Sequence, residues 1–172
     1  MITKSLLLHS VRLRGGRTQP TMSATNPLWT SAKVFGACNG LGLGISLAKD
    51  THTHLDLIGT GAFAVAAYAT KGPTASSRTS ALMVGAWATR LASFLFYRAL
   101  QTRHDGRLTD ILSTNSGAFG FWFISFTWGW VVSLPHTLAA GIAARPPMGI
   151  FSLIGAGLYG TGLTLETLAD YQ

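Results

Sequence analysis

Apolar residues fall into five runs, near 34–48, 55–70, 80–101, 118–134 and 148–168, with polar turns between them. A membrane-spanning helix needs roughly 20 predominantly apolar residues, and a uniformly apolar helix belongs in lipid or in a protein core. The pattern therefore predicts an all-α fold, a polytopic transmembrane helical bundle of four to five spans. The first run, Val34–Ala48, is short and carries Gly36, Gly40, Gly42 and Gly44. Each glycine lowers helix propensity by about 1 kcal/mol against alanine, so this run is a closely packed or tilted helix. Leu55–Thr70 is apolar apart from Asp56 and ends before Lys71-Gly72-Pro73. A Ser/Thr-rich loop over Pro73–Ser80 then leads into the third helix. The fourth run, Ala118–Leu134, has aromatic residues on every face and no charge, and is expected to stop at Pro135. His136–Arg145 reads as a connection closed by Pro146-Pro147, and Met148–Leu165 is the last run.

The third helix organises the rest, because it carries arginines inside an apolar sequence. At 3.6 residues per turn Trp87, Arg90, Phe94, Arg98 and Gln101 share one stripe. An arginine at the centre of a bilayer costs about 2.5–3.5 kcal/mol on insertion scales, so it normally faces protein, water or a ligand. Arg98 sits near the helix end, where its guanidinium reaches the interface along its own stem. Arg90 lies deeper and needs a partner, either Asp56 or a ligand phosphate. Past the last apolar run, Glu166 and Asp170 stand at i and i+4 on one helix face.

Composition agrees with a membrane class: 48% hydrophobic residues, 11% charged residues and 20 glycines, with a mean hydropathy of +0.33. The net charge of +7 is unevenly placed, since residues 1–49 hold six Lys/Arg and no acid while the remainder is nearly balanced. A nucleic-acid footprint spread over the domain is thereby excluded, and the aromatic run lacks the interleaved basic residues of a stacking platform. The chain divides into a basic arm or presequence over 1–30 and a membrane helical domain over 31–172. Lys4, Arg12, Arg14 and Arg17 among Ser and Thr suit a mitochondrial presequence, and equally a basic arm lying on anionic headgroups. Cys38 is the only cysteine, which rules out an internal disulfide and a thiolate zinc site. It reads as a small apolar residue. His52, His54 and Asp56 alternate, but nothing completes a metal site around them, so they read as a polar interface loop and no metal is assigned. Gly155, Gly157 and Gly160 match a Gly-x-Gly-x-x-Gly pattern. No strand precedes it and the acidic residue expected about 20 positions on is absent, which excludes a dinucleotide fingerprint. Packing of small residues helix against helix explains it instead.

Trp87-x-x-Arg90-Leu91-Ala92, then Leu95-x-x-Arg98, then a polar turn ending Asp105-x-Arg107, resembles a family of polytopic membrane proteins. That family belongs with the steroid 5-alpha-reductases, sterol reductases and isoprenylcysteine carboxyl methyltransferases. Val132–Pro135 resembles the end of its aromatic span, and Asp56 with Gly59-Thr60-Gly61 its second span. Where the family has Gly-Glu-Asp-Tyr-Arg, this chain has Arg103-His104-Asp105-Gly106-Arg107. The resemblance implies NADPH-dependent hydride transfer to a carbon–carbon double bond of a lipid or steroid, in the endoplasmic reticulum or a mitochondrial membrane. It implies a cofactor mouth formed by Arg90, Arg98, Arg103, Asp105, Arg107, Glu166 and Asp170, on one side of the bundle. Guanidiniums suit phosphates, and carboxylates suit ribose hydroxyls. The family continues beyond Asp170-Tyr171-Gln172 into an Arg-His-Pro-Asn-Tyr-x-Gly-Glu segment, so the resemblance implies an incomplete site that is inactive alone. A non-catalytic membrane subunit or scaffold retaining the fold, and a methyltransferase-like protein, are the alternatives.

Overall fold

A computed structural model describes residues 26–49, 53–102, 106–142 and 149–171. They form six helices: α1 Pro27–Lys49, α2 Leu55–Thr70, α3 Ala75–Thr102, α4 Gly106–Leu112, α5 Asn115–Ala140 and α6 Ile150–Asp170. No strand occurs among the described residues, and the all-α class is correct. Lys4, Arg12, Arg14, Arg17, His52, Arg103, Asp105 and the Pro146-Pro147 pair lie outside the described residues.

Local chemistry sets the helix starts. Pro27 stands at the first helical position, where its missing N–H costs nothing, and Asn26 Oδ1 accepts the backbone N–H of Leu28 at 3.0 Å. The Ser/Thr stretch expected as a loop before α3 is in part its capping structure. Thr74 Oγ1 accepts from the Ser77 N–H at 3.2 Å, and Ser77 Oγ accepts from the Gly72 N–H at 2.7 Å. Two side chains thus satisfy backbone donors at the turn, and α3 begins at Ala75, ahead of the expected Ser80. Thr114 caps α5 by accepting from the Gly117 N–H at 3.1 Å. Any Cβ at Gly117 would overlap the Ile111 carbonyl, so this turn requires glycine.

The expected stop at Pro135 is corrected: α5 runs through it to Ala140. Proline removes one donor and crowds the preceding turn. Here Ser133, Thr137 and Ala140 are buried on either side of it, so tertiary packing carries the helix onward. Thr137 Oγ1 also donates to the Ser133 carbonyl at 3.0 Å, and Ser133 Oγ is hydrogen-bonded to Ser31 Oγ of α1 at 3.2 Å.

α1 and α5 lie antiparallel, in register from Pro27 beside Gly141 to Ser46 beside Trp122. Large residues on one fit against glycines of the other. Phe35 packs on Gly129, and the Trp122 indole lies against Gly42 and donates to Ser46 Oγ at 3.2 Å. Phe35, Ala62, Phe63, Ala66 and Ala88 make the main buried cluster from α1, α2 and α3, with Cys38 packed at its margin. Leu55, Leu112, Ala118 and Trp122 make a second cluster, bringing in α4 and α5. His54 belongs to this end: its ring stacks on Trp122 at 5.9 Å and its Nε2 is 3.0 Å from the Gly42 carbonyl.

α5 is long and apolar enough to cross a membrane, and α2 is apolar but shorter at 16 residues. Phe119, Phe123 and Trp128 point outward from α5, so its aromatic faces are divided between protein contact and exposure. α6 contrasts with all of this, having no buried residue along its length. The small-residue packing expected of Gly155, Gly157 and Gly160 is not found, because a Cβ at any of them meets nothing within 4 Å. Small residues allow close approach only where another backbone approaches.

Candidate functional site

Arg90 is where the polar chemistry of the chain concentrates. Its Nη1–H donates to Asp170 Oδ2 at 2.6 Å, and its Nη2–H donates to Glu166 Oε1. The other oxygen of Glu166, Oε2, accepts from the Trp87 indole N–H at 3.0 Å. The i, i+4 spacing of Glu166 and Asp170 stacks both carboxylates on one face of α6. The i, i+3 spacing of Trp87 and Arg90 aims both donors from one face of α3. The side chains are largely covered: Arg90 is 24% exposed, Glu166 31% and Asp170 20%.

One turn pair earlier, the Tyr159 hydroxyl donates to the Met83 carbonyl at 2.8 Å. Tyr159 meets residue 83, Glu166 meets 87 and 90, and Asp170 meets 90, so α3 and α6 run in the same direction. The C-terminal ends of both helices therefore lie on one side, as the alternation of spans leads one to expect. The sequence offers Asp56 as a partner for Arg90; in the structure the guanidinium pairs with the α6 carboxylates. Two carboxylates on one guanidinium leave an excess of one negative charge at this junction.

Below the ion pairs, α3 and α6 stand apart and flank an open cleft of about 360 Å³. Val84, Trp87, Leu158, Tyr159, Gly162, Leu163 and Glu166 line it. A smaller cavity of about 110 Å³ lies on the inner side of α3, between α2 and α5, and shares Val84 and Trp87 as its wall. Phe63 meets Trp87 edge to face across this wall, at 5.6 Å between ring centroids. Trp87 thus holds an interior cavity on one side and the outer cleft on the other.

The remaining residues expected at the mouth are placed less closely. Arg98 is exposed, its guanidinium 6.0 Å from the Phe94 ring, in keeping with a stem lying along the helix toward the interface. Arg107 belongs to α4, and Arg103 and Asp105 lie outside the described residues. Trp87 and Tyr159 are the additions to the expected set. The stripe shared with Arg90 points to Trp87. Tyr159 is signalled only by the general need of a half-buried tyrosine hydroxyl for a partner. Among the described residues no three His, Cys, Asp or Glu side chains gather to hold a metal ion.

A family model described as "Protein of unknown function (DUF1295)" matches residues 43–172. No curated protein and no solved structure matches the chain.

Proposed function

The chain belongs to the DUF1295 family, which is related to steroid 5-alpha-reductase-like proteins, and from that premise we propose an integral membrane bundle of the lipid double-bond reductase type, using NADPH. The observation that carries the reading is the α3–α6 junction, where an apolar cleft ends at a hydrogen-bonded set of Trp87, Arg90, Glu166 and Asp170. A lipid substrate requires an apolar groove closed by a few polar groups that orient it. Membrane residence is supported by lengths and surfaces. Among the described residues α5, at 26 residues, is the one helix both long and apolar enough to cross a membrane, while α1, α3 and α6, at 23, 28 and 21 residues, have the length of a span without its hydropathy. α6 exposes Ile150, Phe151, Leu153 and Leu158, a surface that suits hydrocarbon. The endoplasmic reticulum and the mitochondrial membranes are the compartments this reading proposes.

NADPH would supply a hydride to one carbon of the double bond. The chain's own groups fit such a cofactor at Arg98, an exposed guanidinium near the end of α3 and outside both ion pairs. Arg107, Arg103 and Asp105 follow it in sequence and complete the proposed mouth. Arg90 fits a different role, because both terminal nitrogens already donate to carboxylates. It holds Glu166 and Asp170 in place, leaving their remaining acceptor capacity for ribose hydroxyls. The assay is NADPH oxidation by the purified chain in lipid nanodiscs, offered a panel of enone lipids and steroids. Lipid-dependent oxidation that falls in Arg98→Gln supports the reading.

The commitment of both terminal nitrogens of Arg90 to carboxylates favours a second reading, a non-catalytic membrane subunit that keeps the fold. On that reading no lipid in the panel stimulates oxidation, and NADPH does not protect the α3–α6 ends from hydrogen exchange.

A further inference from the structure

We propose that the interior cavity between α2, α3 and α5 is a binding site for a compact neutral alcohol, of the size of phenol or cyclohexanol. The site is separate from the α3–α6 cleft, and the proposal does not depend on the reductase reading. The cavity measures about 110 Å³, somewhat below the roughly 150 Å³ of an engineered cavity that holds benzene. That is room for one six-membered ring and too little for a lipid tail. Most of the wall is hydrocarbon. Ala66 and Ala67 come from α2 and Val84 from α3, and the Phe63 ring meets the Trp87 indole edge to face at 5.6 Å. Two aromatic walls favour a ring over an open chain. Val132 also lines the cavity and is 47% exposed, so the space reaches the outer surface beside it.

The polar part of the wall is gathered on α5, where Ser133, His136 and Thr137 line the cavity. A hydroxyl carries a single proton to donate. Ser133 donates its proton to the Trp130 carbonyl at 2.7 Å and accepts from Ser31. Thr137, 1% exposed, donates its proton to the Ser133 carbonyl at 3.0 Å, so its Oγ1 keeps only lone pairs. The His136 ring is held by Ser80, whose Oγ lies 2.9 Å from Nδ1. An imidazole donates or accepts according to its tautomer. A ligand hydroxyl does both, so it matches the Thr137 acceptor and either tautomer of the imidazole. A ketone or a hydrocarbon offers the Thr137 oxygen nothing. No Asp, Glu, Lys or Arg lines the cavity, so an ionised ligand would leave water at a high cost.

The competing occupant is water, which polar cavities of this size hold. The experiment uses the full chain in nanodiscs of zwitterionic lipid and measures bound radiolabelled phenol, with empty nanodiscs as background. Phenol bound above that background and displaced by cyclohexanol is the expected result. Benzene, cyclohexanone and benzoate should each compete about tenfold less well than phenol. Val132→Phe places a ring at the mouth from an exposed position, and should weaken phenol binding by about tenfold or more. Thr137→Val keeps the shape of the side chain and removes the acceptor. The advantage of phenol over benzene should then fall to about threefold or less. Hydrogen exchange of α2 and α5 matching the parent establishes that each variant stays packed. Phenol binding no better than background means that the cavity holds water only, and overturns the proposal. So does benzene or benzoate competing as well as phenol, or phenol binding that Val132→Phe leaves unaltered.

Discussion

The helix pair α1–α5 and the helix pair α3–α6 are joined in opposite ways. Between α1 and α5, aromatic rings sit against glycines, and the polar atoms at the seam are short serine hydroxyls. Between α3 and α6, no residue of α6 is buried, its glycines face open space, and long side chains reach across. The first joint depends on shape and the second on charge and hydrogen bonds. If the bundle sits in lipid, as proposed above, this difference matters, because apolar contact between helices then has no solvent-driven advantage over contact with hydrocarbon. Close packing must then stabilise the α1–α5 joint, and polar groups must stabilise α3–α6. The first should be rigid and the second separable, leaving a cleft between its helices that a ligand could enter.

The largest effect expected is at the packed joint. Trp122 is 2% exposed, lies against Gly42, donates to Ser46 and stacks with His54. Trp122→Ala removes all of these and leaves a cavity, at a cost of about 3–5 kcal/mol. Denaturant titration of the reconstituted chain measures it. A loss below about 1 kcal/mol, the level of an ordinary surface change, would mean that shape does not hold this joint.

Arg90→Leu tests the polar joint and should cost less. It leaves Glu166 and Asp170 facing each other without their shared cation. Breaking a fully buried pair costs about 3–5 kcal/mol, and partial exposure of these side chains should reduce that to about 1–2 kcal/mol. The location of the effect is as informative as its size. Hydrogen exchange should rise along α6 and stay unchanged in α1 and α5. A double-mutant cycle with Asp170→Asn should show coupling, whereas a cycle with Asp56→Asn should show none.

Much of the first joint's surroundings is legible in the sequence, and little of the second. α2 appears with its observed ends, because Asp56 and Lys71-Gly72-Pro73 bracket an uninterrupted apolar run. The end of α5 does not, since Pro135 is a local stop signal that long-range packing overrides. The start of α3 is misplaced by the same Ser and Thr residues that cap it, as loop composition and capping composition look alike. At the site, the need of Arg90 for a partner follows from one buried charge in an apolar helix. Which carboxylate supplies it depends on how α6 lies against α3, and helical periodicity within each segment carries no information about that. Trp87 shares a stripe with Arg90, which shows the face it lies on but not the carboxylate it meets.

Arg98 sharpens the comparison from outside both joints. It is exposed and takes part in neither ion pair, so Arg98→Gln should leave stability within about 0.5 kcal/mol of the parent. If it meets a phosphate of NADPH, the same change should weaken cofactor binding by about tenfold, the value of one charge-assisted hydrogen bond set of about 1.4 kcal/mol. Equilibrium binding of NADPH to parent and variant, together with their unfolding curves, measures both. A loss of stability without a loss of binding would move Arg98 from the mouth into the scaffold.

The smallest effect expected carries the opposite sign. Gly157 lies mid-way along α6, and a Cβ there meets nothing within 4 Å. Glycine in a helix interior costs about 1 kcal/mol against alanine, through the greater freedom it loses on folding. Gly157→Ala should therefore stabilise α6 by about 0.5–1 kcal/mol, seen as slower hydrogen exchange confined to that helix. The matched change at the packed joint, Gly129→Ala, places a Cβ 2.8 Å from Phe35 and should destabilise the fold, because a ring held on all sides has nowhere to move. Two identical substitutions with opposite signs would show that one joint is closed by shape and the other is not. A destabilising Gly157→Ala would instead mean that another surface covers the glycines of α6, and the outer face of this helix would then belong to an interface.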